Sequence, residues 1–402
     1  MYISDLELEE QRENLAGRFQ KKYRSNRRLV RTRDTLVDTC LLFGSIILFL
    51  IIIEIIFTFL NVEPKISLKG LYTSDPIVGY VNTPNFSVTN QNWFRPYEIT
   101  INSHGLRGSE FAIEQKNGLR ILILGDSMTF GVYVNDNETF CHLLEKEALG
   151  KGVTFEVLNG GVDGYWPRNE LLWFGSRGIS FGPDIVILVL YIGNDVKGEF
   201  RKVDDIVVRN GLLYHRNHQV NDEEAASTTA LYNWLHTRRI YQFICHKYWT
   251  IKKMLDQKKR KETFIFSELF EKKGFPTETD AYGRLLRTIQ ELAGICRGRG
   301  IRFVMVLVPT LEQVYFDELN ICERDKYDMK RPNRKIIQMA RSEGIPILDL
   351  LETNDFQLKK DLYLPLERIH LSLQGHEVVA KNLYTFLENQ GLFQDVRKKV
   401  IN

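Results

Sequence analysis

Hydrophobic and polar positions follow three different rhythms along this chain. From Leu36 to Leu60 the pattern is continuous: LVDTCLLFGSIILFLIIIEIIFTFL is apolar except for Asp38 near one end, Glu54 inside, and a few small residues. About 20 apolar residues at 1.5 Å rise each span a bilayer, so a transmembrane helix is expected over 36–61. A cleaved signal peptide fits poorly, because the run is too long, starts too late and lacks an A-x-A-like exit. Glu54 is costly in lipid. It is expected near the far interface, snorkelling, or paired with another helix.

Beyond residue 118, short apolar runs alternate with stretches of helical period. Arg120–Leu124 (RILIL), Val153–Leu158, Asp184–Tyr191 (DIVILVLY), Ile301–Val308 (IRFVMVLV) and Ile345–Leu350 read as strands. Between and after them, Thr139–Leu149, Leu171–Gly175, Ala281–Arg297, Lys335–Ser342 and Gly375–Asn389 read as helices. Strands apolar on both faces, alternating with helices, predict an α/β domain over 118–392 whose parallel sheet is covered on both sides. Residues 62–117 carry turn signals (Ser74-Asp75-Pro76, Thr83-Pro84) and the alternating Tyr97–Ile101, and predict a β-rich lead-in or spacer. Residues 196–279 break the alternation. A hairpin is expected at Val207–Tyr214, turned at Asn210-Gly211. A basic helical stretch follows with Lys252, Lys253, Lys258, Lys259, Arg260 and Lys261. This region reads as an insertion over the sheet's carboxyl edge. No internal repeat is evident.

Charge adds orientation. The formal net charge of +3 is too small to argue for a nucleic-acid partner. Much of the excess falls early, in Arg18, Lys21, Lys22, Arg24, Arg27, Arg28, Arg31 and Arg33. Positive flanks stay inside. Residues 1–35 are therefore expected as a cytoplasmic basic tail, either solvated or against anionic lipid heads, and everything after about 62 as extracytoplasmic. Five cysteines, Cys40, Cys141, Cys245, Cys296 and Cys322, form no CxxC pair. Neither a metal nor another cofactor is expected. The odd count leaves at least one thiol free or paired between chains, and a single disulfide among the last four is left open, with no pairing assigned by the sequence.

Four clusters can carry chemistry. Gly125-Asp126-Ser127 directly follows the first apolar strand. Ligands in open α/β sheets sit beyond the carboxyl ends of strands. A serine opening a helix there can attack a carbonyl, and its own N–H can help hold the oxyanion. A plain N-cap serine is the bland alternative. Gly193-Asn194-Asp195 also follows a strand, and an Asn amide there can donate to an oxyanion, or simply make an Asx turn. Asn159-Gly160-Gly161-Val162-Asp163-Gly164 offers glycines that let a backbone N–H approach a substrate, or make a flexible turn. Glu367-Arg368-Ile369-His370 places a carboxylate three residues before a histidine. It can reach Nδ1 within one local turn and fix the tautomer, freeing Nε2 to take a serine proton. His376, at the start of the last helix, is read as a satisfied core residue. Asp126 and Asp195 read as loop-orienting carboxylates, and Trp166 and Arg168 as pocket-lining, packing or surface groups.

In order, GDSMTFG, the glycine loop, GND and a late acid-x-x-His resemble the SGNH (GDSL-type) hydrolase family over roughly residues 116–392, in its bacterial membrane-anchored form. The resemblance implies a three-layer, flavodoxin-like parallel sheet. It implies Ser127 as nucleophile, His370 as base, and Ser127 N–H, Gly164 N–H and the Asn194 amide as the oxyanion hole. Gly164 is preferred because it lies five residues past Asn159, the usual family spacing. The family usually has Asp where Glu367 stands, so the third member is the departure, and Asp361 is a distant alternative. The stretch Ile101-Asn102-Ser103-His104-Gly105-Leu106-Arg107-Gly108 resembles one that often precedes GDS in membrane-anchored members, without a known chemical role. The expected activity is hydrolysis of acyl esters, O-acetyl or lipid, on an envelope glycan or lipid through an acyl-serine, in the periplasm if the cell is Gram-negative. Acyl transfer to an envelope glycan, or a non-catalytic envelope-assembly role, are the alternatives.

Overall fold

The structure is a computed structural model. It describes residues 5–59, 68–91, 96–209, 211–216 and 265–393, less single positions at 115, 117, 320, 322, 360 and 366, together with parts of 238–252. The chain divides into two units, one of residues 1–64 with 230–244 and one of residues 65–229 with 245–402.

In the first unit a helix, α1, runs from Asp5 to Phe59. It is continuous through the point where the sequence separates a polar tail from an apolar span. Its Thr35–Phe59 segment is long and apolar enough to cross a membrane. Glu54 finds partners within the same unit. Its carboxylate accepts the backbone N–H of Arg239 and of Ile240, each at 2.9 Å. Arg239 Nη1 donates to the Phe57 carbonyl at 3.0 Å, and the Phe57 and Phe243 rings meet edge to face at 5.3 Å. A carboxylate inside an apolar run is thereby supplied with donors, which lowers the cost of holding it there.

The second unit opens with two antiparallel hairpins, β1 (Tyr72–Asp75) with β2 (Gly79–Asn82) and β3 (Ser87–Gln91) with β4 (Pro96–Thr100). Then come β5 (Leu119–Gly125), α2 (Ser127–Phe130), α3 (Phe140–Gly150), β6 (Phe155–Gly161), α4 (Pro167–Ser176), β7 (Ile185–Tyr191) and α5 (Asp195–Gly198). A third hairpin, β8 (Ile206–Arg209) with β9 (Leu212–His215), follows. The chain continues with α6 (Glu278–Gly298), β10 (Arg302–Val308), α7 (Arg331–Ser342), β11 (Ile347–Asp349) and α8 (Leu373–Asn389). Asn210, Cys245, Cys322 and the basic run Lys253, Lys258–Lys261 lie outside the described residues. Cys141 and Cys296 are buried free thiols, so neither takes part in the disulfide that the sequence leaves open.

The central sheet has five strands in the order β6-β5-β7-β10-β11, and every pairing is parallel. Numbered along the chain, that is 2-1-3-4-5, the flavodoxin-like order. Side chains alternate across a strand, and here both sets are apolar. Ile121, Ile123, Ile187, Val189, Val304 and Val306 pack with Phe140 and Leu144 of α3 and Val379 and Leu383 of α8. Leu122, Leu124, Leu188, Leu190, Met305 and Leu307 pack with Phe174 of α4, Leu285 and Ile289 of α6 and Ile336 of α7. The expected three-layer α/β architecture follows directly. Each fully buried aliphatic side chain contributes about 1.5–3 kcal/mol, and a change such as Ile187→Ala is expected to cost about 2–5 kcal/mol.

The lead-in is part of this core rather than a spacer. Leu71, Tyr80, Tyr97, Ile99 and Leu106 are buried in the same cluster as Leu122 and Leu188. Hairpin patterns alone carry no sign of this, because a strand that caps a neighbouring layer alternates like any half-buried strand.

Candidate active site

Three of the four clusters follow the carboxyl ends of adjacent strands, those of β5, β6 and β7. The fourth arrives on the loop before α8.

At the end of β5, Asp126 caps α2, its carboxylate accepting the Met128 N–H at 2.8 Å. Ser127 is the first residue of that four-residue helix and is 8% exposed. The end of β6 holds the turn from the side. Asn159 Nδ2 donates to the Thr129 carbonyl at 2.9 Å, and Asn159 Oδ1 accepts the Gly161 N–H at 3.0 Å. A Cβ on Gly161 would lie 2.2 Å from the Phe130 nitrogen, so only glycine admits this close packing of strand end on nucleophile turn.

His370 stands on a tight turn. The Leu364 N–H donates to the His370 carbonyl at 2.9 Å, and Tyr363 and Leu371 form an antiparallel bridge. Glu367 Oε2 accepts the N–H groups of Ile369 (3.0 Å) and His370 (2.8 Å). Its other oxygen, Oε1, lies 2.9 Å from His370 Nδ1. That approach is close but bent off the ring N–H axis, so it is an ion contact more than a well-directed hydrogen bond. Catalytic hydrogen bonds are often poorly aligned before substrate binds. On the far side of the ring, Nε2 lies 2.8 Å from Ser127 Oγ.

The electrostatics agree with this order. Burial pushes the His370 imidazolium down, but the adjacent Glu367 carboxylate, followed by Asp163 and Asp126, outweighs it and the net shift is upward. Burial pushes Glu367 up, and the His370 side chain with the two backbone N–H groups brings it below the ordinary value. Burial dominates at Asp126 and raises it, against the donations from Asn194 and Met128.

Asn194 differs from the sequence expectation in one respect. Its Nδ2 donates to Asp126 Oδ2 at 2.8 Å, so one of its two amide hydrogens is committed and one remains for an oxyanion. Gly164 has φ +80°, and a Cβ there would lie 2.9 Å from the Tyr80 hydroxyl, which donates to the Asp163 carbonyl at 2.9 Å. Gly160 instead packs within β6 against the Ile123 carbonyl.

The bland readings hold elsewhere. His376 is 1% exposed, and its Nδ1 accepts the Phe140 N–H at 3.2 Å. Burial, then Arg107 and His370, push it down to about 3, which leaves it a neutral core residue. Asp195 Oδ2 accepts the Tyr191 N–H at 2.7 Å. Trp166 is buried, and Arg168 pairs with Glu291 at 2.8 Å on the surface. Asp361 is exposed, and the carboxylate beside Nδ1 is that of Glu367.

Two groups at the site were not foreseen. The Tyr133 ring lies edge-on to His370, with centroids 5.5 Å apart. The Asp163 carboxylate is raised by burial, which His370 and the Tyr72 hydroxyl oppose. Both residues sit within or just after quoted motifs, but no spacing rule points to them.

No family model matches the chain, and no curated relative matches it. Similar solved structures include a lipase/acylhydrolase from Enterococcus faecalis, at 11% identity and TM-score 0.37, covering 68% of this chain and 96% of that one. An acetyl xylan esterase, AlAXEase, is 17% identical with TM-score 0.36, covering 66% and 98%. The psychrotrophic esterase EstA from a Pseudoalteromonas species is 11% identical with TM-score 0.37, covering 67% and 97%. With TM-scores this low, the fold assignment rests on the strand order and layers, and the chemistry on this chain's own residues.

Proposed function

We propose that the chain is a serine esterase of the SGNH type, held at a membrane by α1, that cleaves acyl esters of an envelope glycan or lipid through an acyl-Ser127 intermediate. The observation that carries this reading is the line Ser127 Oγ, His370 Nε2, His370 Nδ1, Glu367 Oε1, with separations of 2.8 and 2.9 Å across its two gaps. His370 takes the Ser127 proton as Oγ attacks the ester carbonyl. The negative oxygen is received by N–H groups of Ser127 and Gly164 and by the uncommitted Asn194 amide hydrogen. Collapse expels the alcohol, which takes the proton from His370. Water, activated by the same imidazole, then attacks the acyl group and returns Ser127. Glu367 holds the imidazole in the required tautomer and stabilises its charged form.

The early basic residues and the apolar Thr35–Phe59 helix support an extracytoplasmic location. It points to esters of the envelope. The test uses the full-length chain with an O-acetylated xylooligosaccharide and, separately, p-nitrophenyl acetate. Free acetate should appear from both, and Ser127→Ala should release none above the uncatalysed rate. Turnover unchanged by Ser127→Ala contradicts the reading, and acetyl groups appearing on an acceptor glycan instead of in water turn it into acyl transfer. A periplasm-dependent phosphatase fused after residue 70 should be active; silence there overturns the envelope assignment.

A further inference from the structure

Arg107 lies in the stretch Ile101–Gly108 that the sequence left without a chemical role. Its backbone bridges Ile101 and Asn159, and its side chain is fully buried. A guanidinium stays charged in a protein and carries five N–H donors. Buried, each needs an acceptor. Arg107 Nε donates to Asp136 Oδ1 at 2.7 Å. Nη1 donates to the carbonyls of Phe130 (2.8 Å) and Gly131 (2.6 Å), and Nη2 to those of Glu98 (2.8 Å) and Val134 (2.7 Å). All five are used, and three go to the segment 130–134 that directly continues the Ser127 helix.

Within that segment Tyr133 has φ +75°. A bulky residue stays in this region only where its surroundings over-determine it. The Arg107 contacts at Gly131 and Val134 bracket it from both sides. The Tyr133 ring is held between Tyr97 of β4, with centroids 6.0 Å apart, and the edge-on His370 ring at 5.5 Å. The same β4 supplies the Glu98 carbonyl to Arg107. One buried cation thus ties the lead-in to the residue that walls the imidazole.

We propose that Arg107 is a positioning residue for His370, acting through Tyr133, so that the lead-in is a working part of the catalytic site. The role in turnover rests on the serine-hydrolase reading above. Glu367 meets the imidazole at Nδ1 through a bent contact, which directs the ring less tightly than an aligned hydrogen bond does. The Tyr133 edge bounds the ring on another side and keeps Nε2 on Ser127 Oγ.

Tyr133→Gly is the informative variant, because glycine accepts a positive φ without strain. In the full-length chain its melting temperature should fall only moderately, since relief of the positive φ offsets part of the ring packing lost against Tyr97. Its kcat on p-nitrophenyl acetate should fall about 10- to 100-fold with little change in KM, the scale of a misplaced catalytic group. Arg107→Lys should lower kcat similarly in the wild-type background and by under about twofold in the Tyr133→Gly background, since both act on one ring. Additive losses, or a Tyr133→Gly variant with wild-type kcat, overturn the proposal. If Arg107→Lys does not fold, Tyr133→Gly alone decides. A readout independent of turnover is the rate at which diethyl pyrocarbonate acylates His370, followed by peptide mass spectrometry. It should rise several-fold in Tyr133→Gly as the ring is uncovered, and an unchanged rate contradicts the proposal even if the esterase reading itself fails.

Discussion

Glu367 uses its two oxygens for two jobs: Oε2 accepts the backbone N–H groups of Ile369 and His370, while Oε1 sits 2.9 Å from His370 Nδ1. The carboxylate that shapes the turn is therefore the one that faces the ring. The Glu side chain reaches back over its own turn, so one carboxylate meets both the turn and the ring.

Glu367→Gln keeps the shape and removes the charge. Because an amide can present N–H to Nδ1, kcat is expected to fall by up to about 10⁴. The pH profile gives a second sign. His370 must be neutral to act as base, so activity rises with pH through its pKa. Glu367 raises that pKa in the wild type, which puts the acid limb of kcat/KM above the ordinary imidazole value of about 6.5. In the Gln variant burial acts without its largest counterweight, with only Asp163 and Asp126 left to oppose it, and the limb should move to lower pH. Glu367→Asp keeps the charge and should stay closer to wild type than Gln. Unaltered kcat and an unmoved limb in the Gln variant would leave a Ser127–His370 dyad.

Asn194→Ala removes the proposed oxyanion donor and also the donor to Asp126 Oδ2. A drop in kcat of about 10²–10³ with little change in KM is expected. Asn194→Asp should be worse and should lower the melting temperature, because it sets a second carboxylate against Asp126. Steady-state kinetics with thermal unfolding checks both, and a pure KM effect would mark Asn194 as a ground-state contact.

Gly164→Ala faces two obstacles, the positive φ and the Tyr80 hydroxyl 2.9 Å from the new Cβ. The backbone conformation alone costs about 1–2 kcal/mol. Melting temperature and kcat should both fall. Tyr80→Phe removes the contact, so in the Gly164→Ala background it should cost less than it does in the wild type. Strict additivity would show that Gly164 is not packed against Tyr80.

The sheet was legible because Ile121–Leu124, Asp184–Tyr191 and Arg302–Val308 are short runs apolar on both faces that alternate with stretches of helical period. Ser127 and Asn194 were legible because each sits at a motif whose place beyond a strand end has a chemical meaning, and His370 because a carboxylate stands three residues before it. Tyr133 and Arg107 were not. Tyr133 works from a left-handed conformation that a tyrosine does not announce, and Arg107 works through carbonyls, which carry no residue identity. The second commitment of Asn194, to Asp126, depends on how β5 and β7 pair side by side, a relation of tertiary register that local pattern does not contain. Glu54 belongs with these, since its donors at Arg239 and Ile240 lie some 185 residues along the chain.

The central claim is that Ser127 is a nucleophile activated by His370. Covalent labelling by a fluorophosphonate, read as intact mass and mapped by peptide sequencing, tests it without knowledge of the natural ester. One adduct per chain on Ser127 is expected, absent in Ser127→Ala and formed far more slowly in His370→Ala. An unlabelled wild-type chain, or an adduct on another residue that persists in Ser127→Ala, would contradict it.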